Sequence, residues 1–114
     1  ELGEMVTTTT EMVKTSLDSF VERDADKARR AIQSDDLVDT LNRLIIDQLL
    51  QMMTEDSEMI TPAMHCFSAS RHLERIGDLA ENIAEDVSYL VEGDIIRHKH
   101  DQIRPSAESG SADN

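Results

Sequence analysis

The sequence predicts an all-α fold, an antiparallel up-down-up bundle of three long helices, and three observations carry that expectation. Between Gly3 and Gly93 the only residues that ordinarily break regular structure are Pro62 and Gly77. Apolar residues recur at spacings of three and four, and the period-two alternation of a strand is absent over any useful length. Leu, Ile, Val and Phe number 27 of 114 residues, enough for a charge-rich chain of this size to bury one core.

The first helix is expected over residues 2–21, where Leu2, Met5, Val6, Met12, Val13, Leu17, Phe20 and Val21 follow the helical period. Thr7 to Thr10 weaken it, because β-branched residues lose side-chain freedom in a helix, so packing must hold it. Asp24 is placed to cap a second helix over 25–54, with its carboxylate accepting from the free N–H groups of the next turn. Its stripe is Ala28, Ala31, Val38, Leu41, Ile45, Leu49, Met52 and Met53. The polar run Thr54 to Ser57 ends it. A third helix begins near Met59 to Thr61, since Pro62 is tolerated only in a first turn. Its stripe is Cys66, Ala69, Leu73, Ile76, Ala80, Ile83, Ala84, Val87, Leu90 and Val91, and its stop is expected at Gly93. Helices two and three would each be about 45 Å long. Residues 1–96 form the domain, and 97–114, polar and with Pro105, are expected as a disordered tail.

Charge excludes several functions. With 24 acidic and 11 basic residues the net charge is -13, which repels nucleic-acid phosphates and anionic lipid and favours metal cations or basic partners. Cys66 is the single cysteine, so no disulfide framework exists and a reducing cytoplasmic setting is expected. No apolar run reaches the length of a membrane span, and the start lacks the order of a signal peptide. The chain begins with Glu1 and not Met, which suggests a piece of a longer protein.

Some carboxylates sit where a core should be. On a helical wheel Asp35 and Asn42 fall inside the apolar arc of helix two, with Asp39 at its edge. Asp35 and Asp39 are four apart, and like charges at that spacing repel. In helix three Glu74, Asp78, Glu81 and Glu85 form a second stripe beside the apolar seam, with Gly77 next to it, a residue that recovers its helix cost when something approaches closely. Two such stripes across a groove supply the hard oxygen ligands that metal cations take. Two plainer readings stand beside this one. Ser34 or Asp35 would cap a restart of helix two, or the acidic stripe of helix three is a solvated face paired with Arg71 and Arg75.

Other constellations are thinner. Cys66 lies on the apolar seam with His65 and His72 to one side, which favours a core thiol over a zinc site. His98 and His100 fall in the expected tail. The six Met residues fill core gaps at helical spacing. No phosphate loop, nucleophile elbow, HExxH or Glu-x-x-His is present, so no enzyme class is indicated.

The stretch from Arg71 to His98, RHLERIGDLAENIAEDVSYLVEGDIIRH, resembles the closing helix of the PhoU family, the phosphate-specific transport regulators. The ERIGD segment at Glu74 to Asp78 and NIAED at Asn82 to Asp86 are its most specific parts. DDLVD at Asp35 to Asp39 and LDSFVERD at Leu17 to Asp24 match upstream family segments, so the likeness covers about residues 1–98. It implies one three-helix repeat of a two-repeat architecture, most like the second. It also implies metal bound by Asp35, Asp39, Glu74 and Asp78, to which spacing adds Glu81 and Glu85, with iron, zinc or another divalent cation as the ion. The implied role is a negative regulator of the phosphate-starvation response, contacting the phosphate ABC transporter and a sensor histidine kinase. That places it in the cytoplasm, peripheral at the inner membrane through those partners, with homodimerisation open. The rival readings are a plain helical interaction or dimerisation module with a solvated acidic face, and a metal-dependent carboxylate enzyme.

Overall fold

The computed structural model describes residues 1–103, with residues 94–103 as helical backbone only. Three helices follow one another: α1, Leu2–Glu22; α2, Ala25–Glu55; and α3, Ile60–Ile103, the last preceded by a 3-10 turn at Ser57–Met59. The caps follow the local sequence. Arg23 takes a left-handed conformation with φ of 53° and closes α1 through its own N–H and that of Asp24, which reach carbonyls of the last turn. Asp24 then caps α2, its carboxylate accepting from the Lys27 N–H at 3.1 Å. Asp56 does the same for the 3-10 turn, accepting from Glu58 N–H at 3.0 Å.

Contacts between helices fix the up-down-up order. Gln48 of α2 donates to Glu1 at the start of α1, and Lys27 pairs with Glu22 at its end, so α1 and α2 are antiparallel. Ser70 of α3 donates to Asn42 of α2 and lies against the sulfur of Met5 in α1, and Gly77, two turns on, lies beside Val38 and Met12, so α3 runs antiparallel to α2 and parallel to α1. The core has two parts. Met5, Met12, Val38, Leu41, Ile45, Leu49, Ala63 and Ala80 form the larger. Ala28, Ala31, Ala84 and Val87 form the smaller, at the end where α1 turns into α2.

The helix-two stripe is buried as expected through Leu49, while Met52 is exposed. In α1 the buried face is Met5, Thr9, Met12, Ser16 and Ser19, and Val6, Leu17, Phe20 and Val21 stay exposed. Small hydroxyl residues were passed over because they are polar. Ser16 and Ser19 neutralise that polarity by donating to carbonyls three residues back, at 2.9 and 2.6 Å. In α3 the small residues Ala63, Ser70, Gly77, Ala80 and Ala84 face inward, whereas Ala69, Ile76 and Leu90 do not.

The stop expected at Gly93 does not occur. One glycine costs about 1 kcal/mol in a helix, too little to end one whose flanks propagate, and the next proline is Pro105. α3 therefore reaches Ile103 and is about 66 Å long rather than 45. Residues 97–103 of the expected tail are helical, and 104–114 lie outside the described residues.

Candidate metal centre

Helical period places Asp35 four residues after Ala31 and three before Val38, both buried, so its side chain is carried into the seam between α2 and α3. Small residues on α3 let α2 come close. A methyl added at Gly77 would lie 3.6 Å from Val38 Cγ1, 3.8 Å from Met12 Sδ and 3.9 Å from Asp35 Oδ1. That approach is ordinary van der Waals contact, and it seats Asp35 against the turn of α3 that carries Asp78 and Glu81. One oxygen from each of Asp35, Asp78 and Glu81 lies within 4.8 Å of the other two. Asp35 Oδ1 is buried without a hydrogen-bond partner.

One turn along, the Glu74 carboxyl stands within hydrogen-bonding reach of Asp39. Five of the six expected ligands thus gather in a triad, Asp35, Asp78 and Glu81, and an adjoining pair, Asp39 and Glu74. Glu85 stays on the exposed edge and acts on Glu81 through its charge.

The electrostatics are those of a cluster short of positive charge. Burial pushes the Asp35 carboxyl above its ordinary value, and the charges of Asp39, Asp78 and Asp36 add to the shift. Glu74 is raised by burial and by its contact with Asp39. Glu81 is raised by burial and by the charges of Asp35 and Glu85. Among the described residues neither Arg71 nor Arg75, nor Arg43 on the facing helix, forms an ion pair with any of the six, whereas Lys14 pairs with Asp18, Lys27 with Glu22 and Arg29 with Asp26. The acidic stripe is therefore not paired with Arg71 and Arg75 among the described residues. Nor does α2 restart at Ser34, whose hydroxyl donates to the Arg30 carbonyl inside a continuous helix.

A buried orphan oxygen and convergent carboxylates make a donor set fit for a hard cation, whose charge would replace the missing one. His65 and His72 are exposed, and Cys66 packs against the larger core cluster. Sequence reasoning missed Asp36, whose charge reaches Asp35 although its side chain is exposed. It also missed Ser70, whose hydroxyl satisfies the polar Asn42. Asn42 on an apolar arc was the signal that a buried donor had to face it.

Comparison with known proteins gives the family. The model of the PhoU domain matches residues 2–87. The chain is 44% identical over 87 residues to the phosphate-specific transport system accessory protein PhoU homolog of Pseudomonas aeruginosa, covering 76% of this chain and 36% of that one. It is 40% identical over 82 residues to the homolog from Clostridium acetobutylicum, covering 72% and 37%, and 38% identical over 90 residues to PhoU of Escherichia coli, covering 79% and 37%. The chain thus spans little more than a third of the length of the curated relatives it matches. With the domain matched from the start of α1 to the carboxylates of α3, the chain belongs to the PhoU family.

Proposed function

We propose that this chain is a regulatory adaptor of phosphate uptake and phosphate-starvation signalling, and that it holds a metal ion at the α2–α3 seam. The domain match over 2–87 supports the first part, together with relatives named as accessory proteins of the phosphate-specific transport system. The observation that carries the second is the triad of Asp35, Asp78 and Glu81 with its buried, unpartnered oxygen. Iron, zinc or another divalent cation would be held by these three, with Asp39 and Glu74 adjoining. Bound there, the ion would offset the carboxylates' repulsion and lock α2 and α3 in register.

The role is that of an adaptor and not of an enzyme, with the phosphate ABC transporter and its sensor histidine kinase as partners. It acts in the cytoplasm, reaching the inner membrane through those partners; no helix among the described residues is long and apolar enough to cross a membrane. Metal analysis of the purified protein and of Asp35→Asn/Asp78→Asn tests the site. Bound metal lost in the double variant with helicity retained supports it, and unchanged metal content overturns it. Affinity for the purified transporter and kinase, measured with and without chelator, tests the role. Absence of binding to both would refute it.

A further inference from the structure

We propose that the face formed by α1 and α3 binds a second copy of this chain, the two copies packing antiparallel about Leu79 and Ile83 of α3. Each helix of a three-helix bundle has two flanks beside its buried line, one toward each neighbour. In α1 the flank toward α2 is marked by Glu1, which accepts from Gln48, and by Glu22, which pairs with Lys27. Glu4, Glu11 and Asp18 continue that flank at helical spacing. On the other flank, toward α3, stand Val6, Val13, Leu17 and Phe20 at spacings of seven, four and three, and no charged residue of α1 falls among them.

α3 is divided in the same way. Its flank toward α2 carries Glu74, Asp78 and Glu81. Its flank toward α1 carries Ala69, Ile76, Ile83 and Leu90, each seven residues after the last, with Leu79 three after Ile76. The two apolar flanks meet at one level. Met5 lies against Ser70 and Met12 beside Gly77, an offset of 65 both times, so Leu17 and Phe20 stand level with residues 82 and 85 of α3, next to Ile83. This end of the bundle is packed inside out. Its interior holds Ala28, Ala31, Ala84 and Val87, with Ser16 and Ser19 buried in α1, whereas Leu17, Phe20, Ile76, Leu79 and Leu90 are exposed. Large apolar side chains outside a core of small ones call for a cover.

Three properties of the face select another copy as that cover. Its exposed side chains offer on the order of 600 Å² of apolar area, most of the roughly 800 Å² that each partner of a stable complex buries. A second chain brings the same net charge of -13, so contact requires a surface free of acids. The α2–α3 groove has its carboxylates and the α1–α2 groove the acids of α1, which leaves the α1–α3 groove. Two-fold symmetry also fits. An axis between Leu79 and Ile83 falls at the midpoint of α3, Ile60–Ile103, so two antiparallel copies of α3 overlap along their whole length. Arg75 and Asp86, both exposed, border this flank about three turns apart, and neither forms an ion pair among the described residues. The same axis sets Arg75 of each copy within about one residue rise of Asp86 of the other. The metal centre occupies the opposite flank of α3, so pairing of copies is independent of it.

Sedimentation of the full chain at concentrations up to about 100 μM tests this, with a mass of two chains expected. Raising salt should tighten the dimer, because screening weakens the repulsion between two acidic chains. Phe20 and Leu79 are each 57% exposed, so Phe20→Glu/Leu79→Glu spares the core and should weaken association at least about a hundredfold with circular dichroism unchanged. Leu44→Glu, at an exposed apolar position of α2 outside the seam, should leave association unchanged. Arg75→Glu should loosen the dimer, and Arg75→Glu/Asp86→Arg should restore it. A monomer at every concentration, or a dimer that survives Phe20→Glu/Leu79→Glu, overturns the proposal. So does a dimer broken by Leu44→Glu, which would place the interface on α2. A dimer that the charge swap fails to restore overturns the antiparallel pairing. A monomer that floats with phosphatidylcholine vesicles would assign the face to lipid.

Discussion

The seam between α2 and α3 has two halves of opposite character, divided by the Asn42–Ser70 hydrogen bond. Toward the α2–α3 connection, Ile45 and Leu49, with Leu41 at the divider itself, pack with Ala63, and Cys66, Phe67 and Met53 close around them. Toward the other end, Asp35 and Asp39 face Glu74, Asp78 and Glu81, with Val38 and Met12 packed beside Gly77 and Ala28, Ala31, Ala84 and Val87 forming the core farther along. The same two helices thus use one half to hold together and the other to hold charge. Removing apolar area from the first half should unfold the protein, whereas removing charge from the second should stabilise it in the absence of metal.

The largest effect is expected at Leu41, which is 3% exposed. Leu41→Ala removes buried methyl groups and leaves a cavity, a change that costs about 3 kcal/mol, read as a lower urea midpoint with an unchanged slope. A loss below about 1 kcal/mol would mean that the apolar half does not carry the bundle. Next comes the divider. Ser70→Ala leaves the Asn42 oxygen without its donor and should cost about 1 kcal/mol in the same measurement.

These two residues show what the sequence made legible. Leu41 stands on an unbroken stripe of helical period, and every member of that stripe from Ala28 to Leu49 is buried. Period alone sufficed there because large apolar side chains announce their face. α1 was harder, since three of its five buried residues are Thr9, Ser16 and Ser19, and a hydroxyl that bonds its own helix, as those of Ser16 and Ser19 do, looks like a surface residue in a sequence. The acidic positions were legible because carboxylates interrupted an apolar arc. Which of them converge was not, because that depends on the register of α2 against α3, which follows from packing and not from the period of either helix alone, although Gly77 marked in advance where the two helices approach.

The charged half should reveal itself through pH. Asp35, Glu74 and Glu81 all have folded-state values raised above the ordinary 3.8 and 4.5. The folded state then binds more protons than the unfolded one between those ordinary values and the raised ones, and stability falls as pH rises through that window. Metal-free protein should therefore gain urea midpoint as pH is lowered from 7 toward 4.5, and Asp35→Asn should flatten the slope and raise the midpoint at pH 7. Saturating metal should reverse the trend, because protons compete for its ligands. Asp18, held below its ordinary value by Lys14, works in the opposite sense, but it is a surface pair that solvent screens. A slope of the same sign and size in Asp35→Asn would separate the pH effect from the cluster.

The smallest effect is expected at Gly77, on the carboxylate side of the seam. Gly77 is buried in the middle of α3, and its conformation is helical, so it gains nothing from its freedom and loses helix propensity relative to alanine. A methyl there would meet Val38, Met12 and Asp35 at 3.6 to 3.9 Å, filling space without displacing a neighbour. Gly77→Ala should accordingly raise stability by about 0.5 to 1 kcal/mol in the metal-free protein. The same methyl would cover Asp35 Oδ1 more closely and deepen its desolvation, so the gain should shrink as pH rises from 4.5 to 7. A loss of stability at both pH values would show that α2 and α3 need the glycine for closer packing. A gain at 4.5 that diminishes at 7 places the demand on the Asp35 carboxylate, beside which the fold accepts a weaker helix in place of a further apolar contact.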